Sequence, residues 1–193
     1  MKNLFPATLF VVLAMSTMAI GAPAQGAADT ADHTPPSYDM KPQSLLDLET
    51  MQKKFVDLAN AFPADKLNWR PTPDSRSFAE VLLHVSGERY QILHLMDTPL
   101  PAGFDGKTYE KSTTDKAKVI ATLKDSFDHA KTAIKAMPDA DLDKSMDWFG
   151  GKNTERGILL FIVRHAAEHL GQSIAYARFT GIVPPWTEDA KKK

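Results

Sequence analysis

From Lys41 onward, apolar residues recur at steps of three and four rather than two. Leu45, Leu48, Met51, Phe55, Leu58 and Phe62 mark one face of a first helix, which Pro63 stops, and the Pro71/Pro73 pair keeps the following connection extended. Ser77-Phe-Ala-Glu80 has the form of a capping box and opens a second helix with the stripe Phe78, Val81, Leu82, Val85, Ile92 and Met96, ended by Pro99 and Pro101. A Gly- and Lys-rich loop leads to Ser112-Thr113-Thr114-Asp115, which starts a third helix carrying Ile120, Leu123, Phe127, Ala130, Ile134 and Met137 and closed by Pro138. Residues 139–152 form a longer connection with a short hairpin around residues 146–149. The fourth helix starts near Asn153 or Thr154 and runs to about Thr180, with Gly181 as its C-terminal cap and Pro184-Pro185 as a stop. Four amphipathic helices bury their stripes most simply against one another, so the expected fold is all-α, a four-helix bundle.

The chain before Lys41 reads differently. Lys2 precedes an uncharged apolar run over residues 4–20, and Ala22-Pro23-Ala24 has the A-x-A form of a signal-peptidase site. The alternative, an uncleaved anchor helix, needs a longer span than about 17 residues comfortably supplies. The expected organisation is therefore a signal peptide over residues 1–24, a flexible linker over 25–40, one helical domain over 41–186 and a polar tail over 187–193. The protein would be periplasmic or secreted, with no stable membrane anchor after cleavage, and His33 would sit idle in the linker.

Composition narrows the chemistry. A chain of 193 residues suits one domain with a real core, and 43% hydrophobic with 24% charged residues is ordinary for a globular protein. A formal net charge of -1 gives no electrostatic reason to expect nucleic acid or anionic membrane as a partner. The absence of cysteine excludes disulfides, thiolate metal sites and Cys nucleophiles.

The histidines carry the candidate chemistry. At about 100° per residue, Ile158, Phe161, Ile162, His169, Gln172 and Tyr176 all fall within about 60° of His165. His165 and His169 thus occupy the middle of the inward stripe of the fourth helix, where burying imidazoles is costly unless their nitrogens are satisfied. Spacing i, i+4 suits two ligands on one ion; the bland alternative is a pair of hydrogen-bonded core histidines. His84, on the flank of the second helix's stripe beside Val81 and Glu88, is the candidate third ligand. Three neutral imidazoles around Zn²⁺ or a similar ion would leave a position open for water. His94 and His129 face away from their stripes and read as surface residues. His165-Ala-Ala-Glu168-His169 also spells the inverted zincin signature. That reading needs a further acidic ligand downstream, and Glu188 lies beyond Pro184-Pro185 in a stretch that reads as frayed.

Trp69-Arg-Pro71-Thr-Pro73-x-Ser75-Arg-Ser77-Phe leading into Val81-Leu-Leu-His84, followed by His165-x3-His169-x-Gly171-Gln172 and Tyr176-x-Arg178-x3-Gly181-Ile-Val-Pro184-Pro185, resembles the DinB-like family, including its YfiT-like metalloenzymes. The similarity spans residues 45–186. It implies a four-helix bundle with an up-down-down-up course and a metal held by one histidine of the second helix and the H-x3-H pair of the fourth, here His84, His165 and His169. Many relatives have a second histidine where this chain has Glu168, which leaves the ligands alone. The wider superfamily includes transferases and isomerases that use a metal-activated thiol, and proteins described only as metal-dependent hydrolases.

The expectation is an exported metal-binding protein, a hydrolase or transferase of a small molecule, with one divalent ion (Zn²⁺ or Ni²⁺) on His84, His165 and His169. Glu88, Gln172 and Tyr176 lie on the ligand faces as candidates to orient substrate or tune the site. The rival is a non-catalytic bundle in which the ion merely staples two helices. Bundles of this kind often pair, which leaves a homodimer open, although no stripe demands one.

Overall fold

A computed structural model describes residues 39–190; the expected signal peptide, nearly all of the expected linker with His33, and residues 191–193 lie outside the described residues. Four long helices dominate: α1 (Met40–Ala61), α2 (Phe78–His94), α3 (Lys116–Ala136) and α4 (Glu155–Phe179). Between α3 and α4 lies a hairpin of β1 (Ser145–Trp148) and β2 (Gly151–Thr154), and α5 (Pro185–Ala190) follows α4. Among the described residues, no helix is long and apolar enough to cross a membrane.

Each long helix packs on two others, in the cyclic order α1, α3, α2, α4. Contacts along the seams fix the directions. Lys116 Nζ at the start of α3 donates to the carbonyls of Asn60 and Phe62 at the end of α1, at 2.8 and 2.7 Å, while Lys41 at the start of α1 donates to the Met137 carbonyl at the end of α3. The pair is antiparallel, and each helix lends a lysine to the orphan carbonyls of the other's last turn, where the helix dipole favours a cation. Along α2 and α3 the order is matched, Arg89 to Ser126 and Met96 beside Ala133, so these helices run parallel. Along α2 and α4 it is reversed, with Glu88 at His165 and the Arg76 carbonyl at Tyr176. The course is up-down-down-up.

Parallel neighbours cannot be joined by a tight turn. A helix of 17 residues is about 25 Å long, and the chain must travel that distance back before α3 begins. The crossover (residues 95–115) does so lying against α2. Two glycines permit the close approach: a Cβ on Gly106 would stand 2.0 Å from Gln91 Nε2, and one on Gly87 would stand 2.9 Å from the Tyr109 ring. The crossover and α3 together cover faces of α2 that its stripe left to solvent. Leu83, Ser86, Arg89, Tyr90 and Leu93 are buried along with the expected Phe78, Val81, Leu82, Val85 and Ile92.

The helix ends mostly follow local chemistry. Ser77 and Glu80 form the reciprocal capping box, with bonds of 3.2 and 2.7 Å. Asp115 caps α3 through Lys118 N at 2.8 Å, and Thr154 caps α4 through Gly157 N at 3.2 Å. Gly181, at φ 79°, ends α4 as expected. The end of α2 is different: it stops at His94, ahead of Pro99 and Pro101. Asp97 takes φ 59°, and the Thr98 amide turns back to the Leu93 carbonyl at 3.1 Å, a Schellman-type closure that needs no proline. Phe149 and Gly150 at the hairpin tip both have positive φ (42° and 81°), the signature of a type I′ turn. Pro184-Pro185 ends the course of α4, but Pro185 also opens α5, a position proline suits; α5 places Glu188 on a helix against α1 instead of in a frayed stretch.

The core joins Leu48, Phe55 and Leu58 of α1 to Leu82, Phe127, Ile134 and Ile162 of the other helices, with Phe62 and Phe78 stacked at 3.7 Å. Arg89 is the anomaly within it. It is 3% exposed, its Nη1 donates to Ser126 Oγ at 2.5 Å, and its guanidinium lies 3.6 Å over the Phe127 ring. No carboxylate among the described residues pairs with it, and burial pulls its pKa down to about 9. Replacing Arg89 with Met, which keeps volume and removes the charge, is expected to leave the unfolding free energy within about 1 kcal/mol of the parent or to raise it. Arg89→Ala is expected to cost about 2–4 kcal/mol through the cavity it leaves, and urea unfolding distinguishes the two.

Candidate metal centre

Helix α2 is fixed at its start by the Ser77/Glu80 box, and His84 stands two turns further in. On antiparallel α4, His165 and His169 face it from successive turns. The structure brings the three imidazoles together on the α2–α4 seam. One ring nitrogen from each lies within 4.8 Å of the others, and all three residues are half-buried. His165 Nε2 and His169 Nε2 are 3.0 Å apart. The His84 ring centroid is 5.5 Å from that of His165 and 4.8 Å from that of His169.

The hydrogen bonds behind His169 have only one consistent direction. Tyr176 OH is 3.2 Å from the Arg76 carbonyl, which can only accept, so the hydroxyl donates there. Gln172 Nε2 then donates to the tyrosine oxygen at 3.0 Å, which turns Gln172 Oε1 toward His169 Nδ1 at 2.7 Å. That nitrogen must therefore carry the proton, and His169 presents a bare Nε2 lone pair to the cluster. This is the arrangement found behind metal-ligating histidines, whose outer N–H is held by a neighbouring acceptor.

Two carboxylates complete the surroundings. Glu88 lies between the helices, with Oε2 3.0 Å from His165 Nε2 and Oε1 3.5 Å from His84 Nε2. Glu110, on a 3₁₀ turn of the crossover (Tyr109–Lys111), puts Oε2 3.4 Å from His84 Nδ1 and accepts from Arg76 Nε at 2.8 Å. Arg76 therefore closes a ring: its carbonyl receives the chain from His169, and its guanidinium holds the acid behind His84. Neither Arg76 nor Glu110 figured among the candidates read from the sequence. Arg76 sits just ahead of the α2 cap, and Glu110 lies in a loop whose path no periodicity describes.

Burial decides the charge states. It pulls His84 down to about 4, against the opposing pull of Glu88, and lowers His169 too. Both rings are neutral at neutral pH, the form that binds a metal. The His165 imidazole beside Glu88 holds that carboxyl below its usual range despite partial burial. Two imidazole nitrogens bound to one ion at about 2.0–2.1 Å stand about 3.0–3.4 Å apart, and the observed 3.0 Å fits. The donor set, the neutral rings and the fixed tautomer of His169 suit a divalent cation with borderline ligands such as zinc or nickel.

The hairpin supports the ligands from outside. Trp148 packs edge-on against Phe161 at 4.9 Å, and the Phe161 ring lies parallel to His165 at 5.6 Å. Glu168 is exposed and touches the cluster only through the field of its charge on His169. His94 is exposed, as expected. His129 is half-buried rather than exposed: its ring meets Tyr90 of α2 at 5.0 Å and its Nε2 is buried.

The class is that of a four-helix bundle with three convergent histidines on the seam of its second and fourth helices, a group that could hold a metal ion. A family model for the DinB superfamily matches residues 47–173, and the chain belongs to that superfamily. Solved structures share the fold. A DinB-like protein from Bacillus cereus superposes with a TM-score of 0.65 at 16% identity, over 74% of this chain and 94% of that one. YfiT from Bacillus subtilis, "a probable metal-dependent hydrolase with an unusual four-helix bundle topology", gives 0.61 at 15% identity, over 76% and 90%. The DinB-like YjoA of Bacillus subtilis gives 0.58 at 19%, over 72% and 92%. No curated protein matches the chain at a significant level.

The pKa of His84 has a consequence for the metal-free protein. As pH falls below 6.5 the unfolded chain takes up a proton that the folded one refuses until about 4, so stability is lost with falling pH across that window. His84→Asn is expected to flatten this part of the melting-temperature profile, which thermal unfolding of chelator-treated protein at several pH values measures.

Proposed function

We propose that the chain is an exported metal-dependent enzyme, a hydrolase or transferase of a small molecule, with one zinc or nickel ion on His84, His165 and His169. The observation that carries this reading is the convergence of three half-buried imidazoles from two helices, one with its lone pair directed inward by a fixed hydrogen-bond chain. The description of YfiT as a metal-dependent hydrolase supports it by likeness of fold. The uncharged run over residues 4–20 and the A-x-A sequence after it support export to the periplasm or beyond.

A bound ion would supply Lewis acidity and lower the pKa of a coordinated water or thiol. The chain's own residues do the rest. Gln172 and Tyr176 hold His169 in the tautomer that leaves Nε2 free. Glu110 backs His84, and Arg76 ties both supports together. Glu88, its two oxygens turned toward the nitrogens of different helices, stands where it can accept a proton or a hydrogen bond from a molecule entering the cluster. Water is the nucleophile that an exported location favours, because cytosolic thiol cofactors are not at hand there.

Elemental analysis of protein purified from its own compartment is expected to find close to one equivalent of zinc or nickel in the parent and a large loss in His169→Ala. Equal metal in both sinks the assignment. Tyr176→Phe removes the donor to the Arg76 carbonyl and is expected to weaken metal binding about 10–100-fold. A competition titration against a chelator, with circular dichroism to confirm the fold, reads that change; unaltered affinity would mean the chain does not set the tautomer.

A further inference from the structure

A cavity of about 280 Å³ opens beside the cluster, between α2 and the crossover, lined among others by Arg76, His84, Glu88, Gln91, Lys107 and Glu110. Its volume admits a small molecule and its walls are mostly polar. Its charges are not all matched. Glu110 accepts from Arg76 at 2.8 Å, and Glu88 lies 3.0 Å from His165 Nε2. Lys107 is different: among the described residues, no carboxylate stands within ion-pairing distance of its ammonium group.

The backbone that carries Lys107 is firmly held. Asp105 accepts from the Lys107 amide at 3.0 Å and from Thr108 Oγ1 at 2.9 Å, closing the turn. Gly106 presses on Gln91, and Tyr109 is seated against Gly87. The turn therefore presents Lys107, exposed, at the wall of the cavity that His84 also lines. A divalent ion on the three imidazoles would add further positive charge beside the same cavity.

We propose that this turn is the specificity element of the site, and that the substrate is small, hydrophilic and anionic, its carboxylate or equivalent group taken by Lys107 while the reacting group faces the histidines. The proposal rests on the reading of those histidines as a metal site. Lys107 belongs to neither the ligands nor the ring through Arg76, so changing it leaves the metal site intact.

The test uses the full chain loaded with Co²⁺ and two chelating probes with the same metal-binding head. Acetohydroxamate carries no charge at its far end, and succinic acid monohydroxamate carries a carboxylate. Visible cobalt absorption follows both titrations. The carboxylate probe is expected to bind about fivefold more tightly than acetohydroxamate, the scale of one partly exposed charge pair. Lys107→Met should abolish this preference and Lys107→Glu should reverse it, with acetohydroxamate affinity unchanged in Lys107→Met. Equal binding of both probes to the parent, or a preference that survives Lys107→Met, overturns the proposal while leaving the metal site standing. Failure of the parent to take up Co²⁺ would overturn the metal reading and this proposal with it.

Discussion

A backbone carbonyl accepts hydrogen bonds and never donates them, and the candidate centre depends on that asymmetry. The Arg76 carbonyl forces Tyr176 to donate, Tyr176 turns the Gln172 amide, and the amide oxygen draws the proton of His169 to Nδ1. No charged group is needed to set this direction. A neutral imidazole left to itself would exchange tautomers; here a fixed peptide bond at the entrance to α2 selects one, on a helix that is almost a hundred residues away in the chain. The Arg76 side chain reaches the other way, through Glu110, to His84. A single residue ahead of a helix cap thus governs both faces of the seam.

The topology explains why such a residue is available. Because α2 and α3 run parallel, the chain spends the crossover returning along α2, and that return path supplies groups a tight turn could not. Glu110 backs His84, Tyr109 packs on Gly87, and Gly106 and Lys107 of the Asp105 turn line the cavity. The long connection is a cost in chain entropy, and the burial of Tyr90 against Phe104, Tyr109 and His129 offsets part of it. The other two inter-helix connections join antiparallel helices across the diagonal of the bundle, and one of them places Trp148 against Phe161, behind His165.

Much of this was legible in the residues. The four stripes locate the helices, because a 3.6-residue period is a direct image of one buried face, and the capping box at Ser77 announces its own hydrogen bonds. The three histidines stand out because imidazoles at core positions demand an explanation. Other features were hidden for definite reasons. The α2 end follows from Asp97 adopting a left-handed backbone, which proline counting does not reveal. The burial of Leu83 and Tyr90 comes with a loop folding back over α2, and that of Arg89 with the parallel packing of α3, so a helical wheel drawn on α2 alone shows these residues facing out. Glu110 and Arg76 take their meaning from contacts between segments that share no period.

The two antiparallel seams are fastened by different means. Between α1 and α3, Lys41 and Lys116 clasp opposite helix ends, and those clasps ask nothing of any small ligand. Between α2 and α4 the fastening is the imidazole cluster itself with its ring of polar supports. An ion on the three imidazoles would therefore bear on one seam alone, tying α2 to α4 and leaving the lysine clasps as they are. The bundle would then stiffen along the groove where an ion or substrate has to enter, with the lysine-clasped side unchanged.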